Sequence, residues 1–166
     1  MFKKKNGIKK QVMSGFSLLE AIVGISIFSV FIFSVMLASQ LSQKTASESV
    51  RNIQTSFLLE EGVDAIKILR NTSWSANVAN LTIGTNYYFN YNGTTWASSL
   101  ANVYVDGIFE RKFVLNNVYR DANDDISSSG TLDAGTKKAT VSVSWLGRSG
   151  TTTKDAVFYL TNLFSN

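Results

Sequence analysis

Asp121-Ala122-Asn123-Asp124-Asp125-Ile126-Ser127, with Asp133 a few positions on, is the constellation in this sequence best suited to site chemistry. Asp121, Asn123 and Asp125 place side-chain oxygens at alternate positions, which is how calcium loops begin. These three and Asp133 are the candidate metal ligands, with Ca²⁺ as the candidate cofactor. Mg²⁺ fits less well, because it favours a few carboxylates supplemented by water or phosphate. The pattern also departs from a full calcium loop: Ile126 stands where a glycine makes the turn, Leu132 occupies the twelfth position, and Asp133 comes one residue late. The competing reading is a loop whose Asp and Asn side chains cap their own turns. Other chemistries are excluded by composition. The 166 residues include no Cys and no His, which removes thiol nucleophiles, disulfides, zinc held by Cys or His, and an imidazole base. The chain therefore reads as a non-enzyme that requires no cofactor. A carboxylate-only site in the Asp121–Asp133 loop is the one catalytic alternative.

The elements that would carry this loop begin with an unusual N-terminal third. Lys3, Lys4, Lys5, Lys9 and Lys10 precede an apolar run, and the remaining 11 cations are balanced by 12 anions. The net charge of +4 thus belongs to a short tail, and the rest has no cationic footprint for nucleic acid. From Ala21 to Gln43 there is no charged residue for 23 positions. As a helix this run spans about 34 Å, enough to cross a bilayer core of about 30 Å. The early lysines place the N-terminus in the cytoplasm and the remainder outside. A secretory signal peptide fits poorly, since the apolar stretch is too long and Met36-Leu37-Ala38-Ser39 is a weak cleavage site.

Before the apolar run stands Ser14-Gly15-Phe16-Ser17-Leu18-Leu19-Glu20-Ala21. This segment resembles the processing site of type IV prepilins and type II secretion pseudopilins. A Lys-rich leader ends at Gly15, an apolar Phe16 follows, and Glu20 falls at what would be the fifth mature position. The resemblance implies that a prepilin peptidase removes residues 1–15 and N-methylates Phe16, leaving the apolar helix in place. It further implies an inner-membrane assembly platform and other pilin subunits as partners. The product would be an extracellular filament, driven by a separate motor. Glu20 also has a physical logic of its own. An ionisable group at the edge of an apolar span persists where it has a partner, and Phe16 and Glu20, four apart, share a helical face. The new α-amine could meet its own Glu20 or that of a neighbouring subunit.

Past the span, helical periodicity continues. Ala46, Val50, Ile53 and Phe57 are spaced +4, +3, +4, and Leu58, Gly62, Ala65 and Leu69 repeat that spacing, with Leu59, Val63 and Ile66 alongside. Lys44, Glu48, Arg51, Gln54, Glu60 and Lys67 are expected on the opposite, solvated face. The helix is predicted over 16–70, with 16–39 as membrane or filament core and 40–70 lying amphipathically on a sheet. Asn71, Thr72 and Ser73 stop it. Gly62 implies either close approach of a strand or a kink.

Residues 71–166 form a β-rich head, predicted with strands Leu81–Ile83, Tyr87–Tyr91, Thr95–Ser98, Ile108–Tyr119, Ala139–Leu146 and Ala156–Thr161. In the fifth, Ala139, Val141, Val143 and Trp145 alternate with polar residues, so one face of an antiparallel sheet should lie under the helix. Asn92-Gly93 and Gly147-Arg148-Ser149-Gly150 are hairpin signals. The aromatics Tyr87, Tyr88, Phe89, Tyr91 and Trp96 could stack glycans or single-stranded DNA, but few cations are interleaved and a helix-covered sheet needs such residues anyway. Glu60, Glu61 and Asp64 fit a solvated or interface face.

The expected fold is α+β: a long N-terminal helix, the stick of a pilin-like lollipop, packed on a C-terminal antiparallel sheet. Leu59-Glu60-Glu61-Gly62 through Leu69-Arg70-Asn71 and the segment from Arg120 to Trp145 are similar to minor-pilin-like proteins, and the Cys pair of disulfide-looped major pilins is missing. The resemblance is thus strongest to a minor pilin. A pseudopilin of a secretion or DNA-uptake machine is the nearest alternative. A monomeric signal-anchored binding protein, in which Gly15 and Glu20 have no special role, is the alternative of another class.

Overall fold

A computed structural model describes residues 15, 17–147 and 150–163, in which one long helix precedes a seven-stranded antiparallel sheet. The expected α+β class is observed. The leader before Gly15, the Phe16 position and the Arg148-Ser149 part of the last turn lie outside the described residues. The chain divides into two compact units, Met1–Ala46 and Ser47–Asn166.

Helix α1, Leu18–Thr72, begins with the Ala21 N–H donating to the Ser17 carbonyl. Through the first unit every described residue of α1 is exposed, including Phe28, Phe31 and Phe33. Its few polar groups are satisfied locally. The Ser26, Ser29 and Ser34 hydroxyls donate to carbonyls four residues back at 2.7–2.8 Å, so they add no unpaired donor to the apolar stretch. The helix is long and apolar enough to cross a membrane.

In the second unit, residues 47–72 of α1 pack on a sheet of β1 (Tyr87–Tyr91), β2 (Trp96–Ser99), β3 (Tyr104–Val105), β4 (Phe109–Arg120), β5 (Ile126–Ser127), β6 (Thr131–Gly147) and β7 (Gly150–Thr161). The order is β2-β1-β4-β6-β7, with β3 and β5 paired to β4. In β6 the expected apolar positions Ala139, Val141, Val143 and Trp145 are buried, opposite Leu115, Phe113, Arg111 and Phe109 of β4, and Ser144 between the last two is buried as well. Ala65 and Ile66 of the helix close this core with Phe89, Phe113, Leu115 and Val141. Full burial of a side chain such as Ile66 is worth about 1.5–3 kcal/mol. Gly62 reflects close approach: a Cβ there would lie 2.8 Å from Val141 Cγ1.

Four expectations are corrected. First, the sheet-facing surface of α1 includes Thr55, Gly62, Ala65, Ile66 and Leu69, but not Val50, Ile53 and Phe57, which are 55%, 55% and 67% exposed. At about 100° per residue, position 55 is in line with 58, 62 and 69, whereas 50, 53 and 57 fall on the other side. Arg51, expected on the solvated face, donates instead to the Leu146 carbonyl at 3.1 Å. Second, Leu81–Ile83 is not a strand. Leu81 and Ile83 pack against the core from a turn that Gly84 closes with φ +75° and an N–H donated to the Leu115 carbonyl. Third, the helix runs on to Thr72, and a π-helical turn, Ser75–Ala79, follows and buries Trp74 and Val78. Fourth, β6 and β7 are far longer than expected: the polar residues 147 and 150–155 continue the β6–β7 ladder, and the polar start of β6 pairs with β4 past a register shift at Asn117/Val118. The Asn92-Gly93 hairpin is present, closed by Asn92 Oδ1 accepting from the Thr94 and Thr95 N–H groups.

Candidate functional site

The Asp121 loop connects β4 to β5, whose register sets Arg120 opposite Ile126 and forces the chain to reverse within five residues. Asp121 makes that reversal. Its Oδ1 accepts from the N–H groups of Asn123 at 2.8 Å and Asp125 at 3.1 Å, while its own N–H donates to the Asp125 carbonyl. Asp124 takes a left-handed conformation, φ +66°, which Asp tolerates better than most residues.

Arg120 governs the rest of the site. Its Nε donates to Asp133 Oδ2 at 2.7 Å and its NH1 to the Asp124 carbonyl at 2.7 Å, with Asp124 Oδ1 3.6 Å from Nε. The second Asp133 oxygen accepts the Gly135 N–H. The Arg120 hydrogen bond, aided by Thr136 and the Gly135 N–H, holds the Asp133 carboxyl below the usual carboxylate range against the opposing effect of burial. The same hydrogen bond raises Arg120. A cavity of about 530 Å³ beside this pair is lined by Arg120, Asp121, Asp124, Thr131, Leu132 and Asp133.

The four candidate ligands are therefore not brought together. Asp121 serves its own turn, Asp133 is neutralised by a guanidinium, and among the described residues no three acidic side chains converge as a metal site would require. The sequence signal missed was Arg120 itself, a cation placed directly before an Asp-rich turn.

At the other end of the chain, Gly15 is exposed, with nothing among the described residues within 4 Å of where a Cβ would stand, and Glu20 lies in the first turn of α1. Both are open to a partner. Their companion Phe16 is outside the described residues. No family model, curated protein or solved structure matches the chain.

The aromatic cluster of the head belongs mainly to the core. Tyr87 stacks on Phe113 at 5.7 Å, and Phe89 meets Trp96 edge-on at 6.2 Å. Arg111, 6% exposed, lies over the Phe89 and Trp96 rings at 5.4 and 5.2 Å and donates to Glu61 of α1. Glu61, half exposed, is thus tied to the sheet, and Asp64 pairs with Lys67 along the helix at 3.2 Å. The Arg111–Glu61 tie was not apparent in the sequence, where 50 positions separate its partners.

Proposed function

We propose that the chain is a structural subunit, a pilin or minor pilin, of a type IV pilus-like filament, processed after Gly15 and assembled through its N-terminal helix. One observation carries this reading: residues 21–43 of α1 are uncharged, mostly apolar and exposed, with an exposed Gly15 before them and Glu20 in the first turn of the helix. Leaving Leu, Ile, Val or Phe side chains in water forfeits about 1.5–3 kcal/mol each, so this stretch requires lipid or other helices around it.

On this reading the precursor sits in the inner membrane with its N-terminus in the cytoplasm and its head outside. A prepilin peptidase cuts between Gly15 and Phe16. The assembly platform then transfers the helix from lipid into a bundle, exchanging one apolar surrounding for another. Gly24, Ser26, Ser29 and Ser34 permit close helix approach. The Glu20 carboxylate accepts a hydrogen bond from the α-ammonium of a neighbouring Phe16, and the ion pair balances both charges and fixes the axial step.

Intact mass and N-terminal sequencing after co-expression with a prepilin peptidase test this. The expected product starts at N-methylated Phe16. Replacing Gly15 by a larger residue should block cleavage, while Glu20→Ala should be cut but fail to assemble. Retention of residues 1–15 in the wild-type chain refutes the reading and leaves a signal-anchored monomer.

A further inference from the structure

The face of the sheet turned away from α1 carries two polar clusters that differ in one respect. In the first, the Tyr88 hydroxyl donates to Glu110 Oε1 at 3.3 Å and Lys112 Nζ to the same oxygen at 3.2 Å. Burial and Glu110 raise the Tyr88 hydroxyl. That cluster is satisfied internally. In the second, Asn116 of β4, Lys138 of β6 and Tyr159 of β7 are directly opposite one another across the three strands. They therefore share a face, the one opposite to buried Leu115 and Ala139. Among the described residues none of these three side chains has a hydrogen-bond or ion-pair partner.

This row, with Lys138 and Tyr159 exposed and Asn116 half-buried, lines a cavity of about 450 Å³ that Tyr119, Ile126 and Ser127 complete. Its volume is within the range of small-ligand sites. Lys138 is the one charged group in the lining, so the cavity is cationic without a countercharge. The Tyr159 ring, 46% exposed, offers a flat apolar face with a hydroxyl at its rim. The Asn116 amide can donate and accept at once. A flat apolar face, a two-way amide and a single ammonium match one ligand chemistry: a pyranose ring with adjacent hydroxyls and a carboxylate.

We propose that this groove is a binding site for acidic polysaccharide, with Lys138 holding a hexuronate carboxylate, Tyr159 stacking on the sugar ring and Asn116 bridging its hydroxyls. The three groups stand on the ordered central and edge strands, so binding requires no rearrangement of the sheet. The site is independent of the filament reading, since it uses no residue of α1 and would serve an anchored monomer equally well.

The test is calorimetric titration of the full chain, held in a detergent without a sugar headgroup, with tetragalacturonate and with its uncharged methyl ester. Saturable binding of the acid with a dissociation constant of about 1 mM or tighter is expected. The ester should bind about tenfold more weakly, the effect of losing a charge-assisted hydrogen bond. Lys138→Met should bring the acid down to the level of the ester. Tyr159→Val, which keeps a strand-forming residue, should weaken both ligands while leaving the thermal midpoint within about 2 °C of wild type. Absence of saturation, equal binding of acid and ester, or undiminished binding in Lys138→Met overturns the proposal.

Discussion

Replacing Gly62 by alanine sets two known effects against each other. At an exposed helix position the change gains about 1 kcal/mol of helix propensity. Here the added methyl would stand 2.8 Å from Val141 Cγ1 and 3.4 Å from both Arg111 Cδ and Phe89 Cε2. The contacts with Arg111 and Phe89, at 3.4 Å, are close to ordinary van der Waals distances, whereas Val141 would have to shift. It is fully buried in β6, paired to Phe113 on one side and Ala156 on the other, and its branched side chain has little rotamer freedom. Overpacking of this kind costs about 1–3 kcal/mol, so a net loss of about 1 kcal/mol is expected, a fall in midpoint of about 4 °C for a unit of this size. Chemical denaturation followed by near-ultraviolet circular dichroism measures it. The cycle with Val141→Ala isolates the cause. That change removes the clashing methyl, so Gly62→Ala in its presence should be neutral or stabilising, with a coupling of about 1–2 kcal/mol. A stabilising Gly62→Ala in the wild-type background, or an additive cycle, would refute the claim that α1 and β6 meet at this glycine.

Glu61→Ala leaves the buried Arg111 guanidinium with only the faces of Phe89 and Trp96, and should cost about 2–3 kcal/mol, less than for a fully buried pair because Glu61 is half exposed. Glu61→Gln keeps an acceptor and should cost about half as much in the same denaturation assay. Because the folded Asp133 carboxyl is held below its unfolded value of about 3.9, the unfolded state binds more protons as pH falls. The Asp133 contribution to stability is therefore complete above about pH 5 and is lost below about pH 4, and urea midpoints for Asp133→Asn should show a shallower acid slope than wild type. With Asp133 engaged by Arg120 and Asp121 by its own loop, 1 mM Ca²⁺ should move the thermal midpoint by less than about 1 °C. A rise of several degrees would identify the loop as a calcium site. Phe57→Ser, on the outward face of α1, should change stability by less than about 0.5 kcal/mol, yet on the filament reading it should abolish assembly, scored by electron microscopy of sheared filaments.

Elements whose sequence period matched their burial could be read directly. The apolar positions from Ala139 to Trp145 and the Asn92-Gly93 hairpin are local signals, and each is found where the pattern places it. Failures arose where a long-range partner decides the outcome. Leu81 and Ile83 alternate like a strand, but what they satisfy is burial, with no neighbouring strand for their backbone to pair with. The grip of Arg120 on Asp133 across 13 positions was hidden in the same way, because it depends on the β4–β6 register. The free row of Asn116, Lys138 and Tyr159 was invisible for the same reason: residues that are unremarkable singly become neighbours only when three strands align.

The outward turn of Val50, Ile53 and Phe57 follows from how the upper part of the helix is held. There the contact between α1 and the sheet is largely polar. Arg51 reaches the Leu146 carbonyl, Lys154 donates to the Asn52 carbonyl at 3.1 Å and to Ser56 Oγ at 3.3 Å, and buried Thr55 satisfies its hydroxyl on the Arg51 carbonyl at 2.7 Å. Long cationic side chains cover the interface with their stems while their heads find carbonyls, so apolar residues are not needed on that side. Those available at this level are presented to the exterior instead. For a solitary anchored head, three large exposed apolar side chains on one stripe bring no stability and invite association. For a subunit whose helix must join others, they are the part of the surface that the fold leaves for its neighbours, and they favour the filament reading over a monomeric anchor.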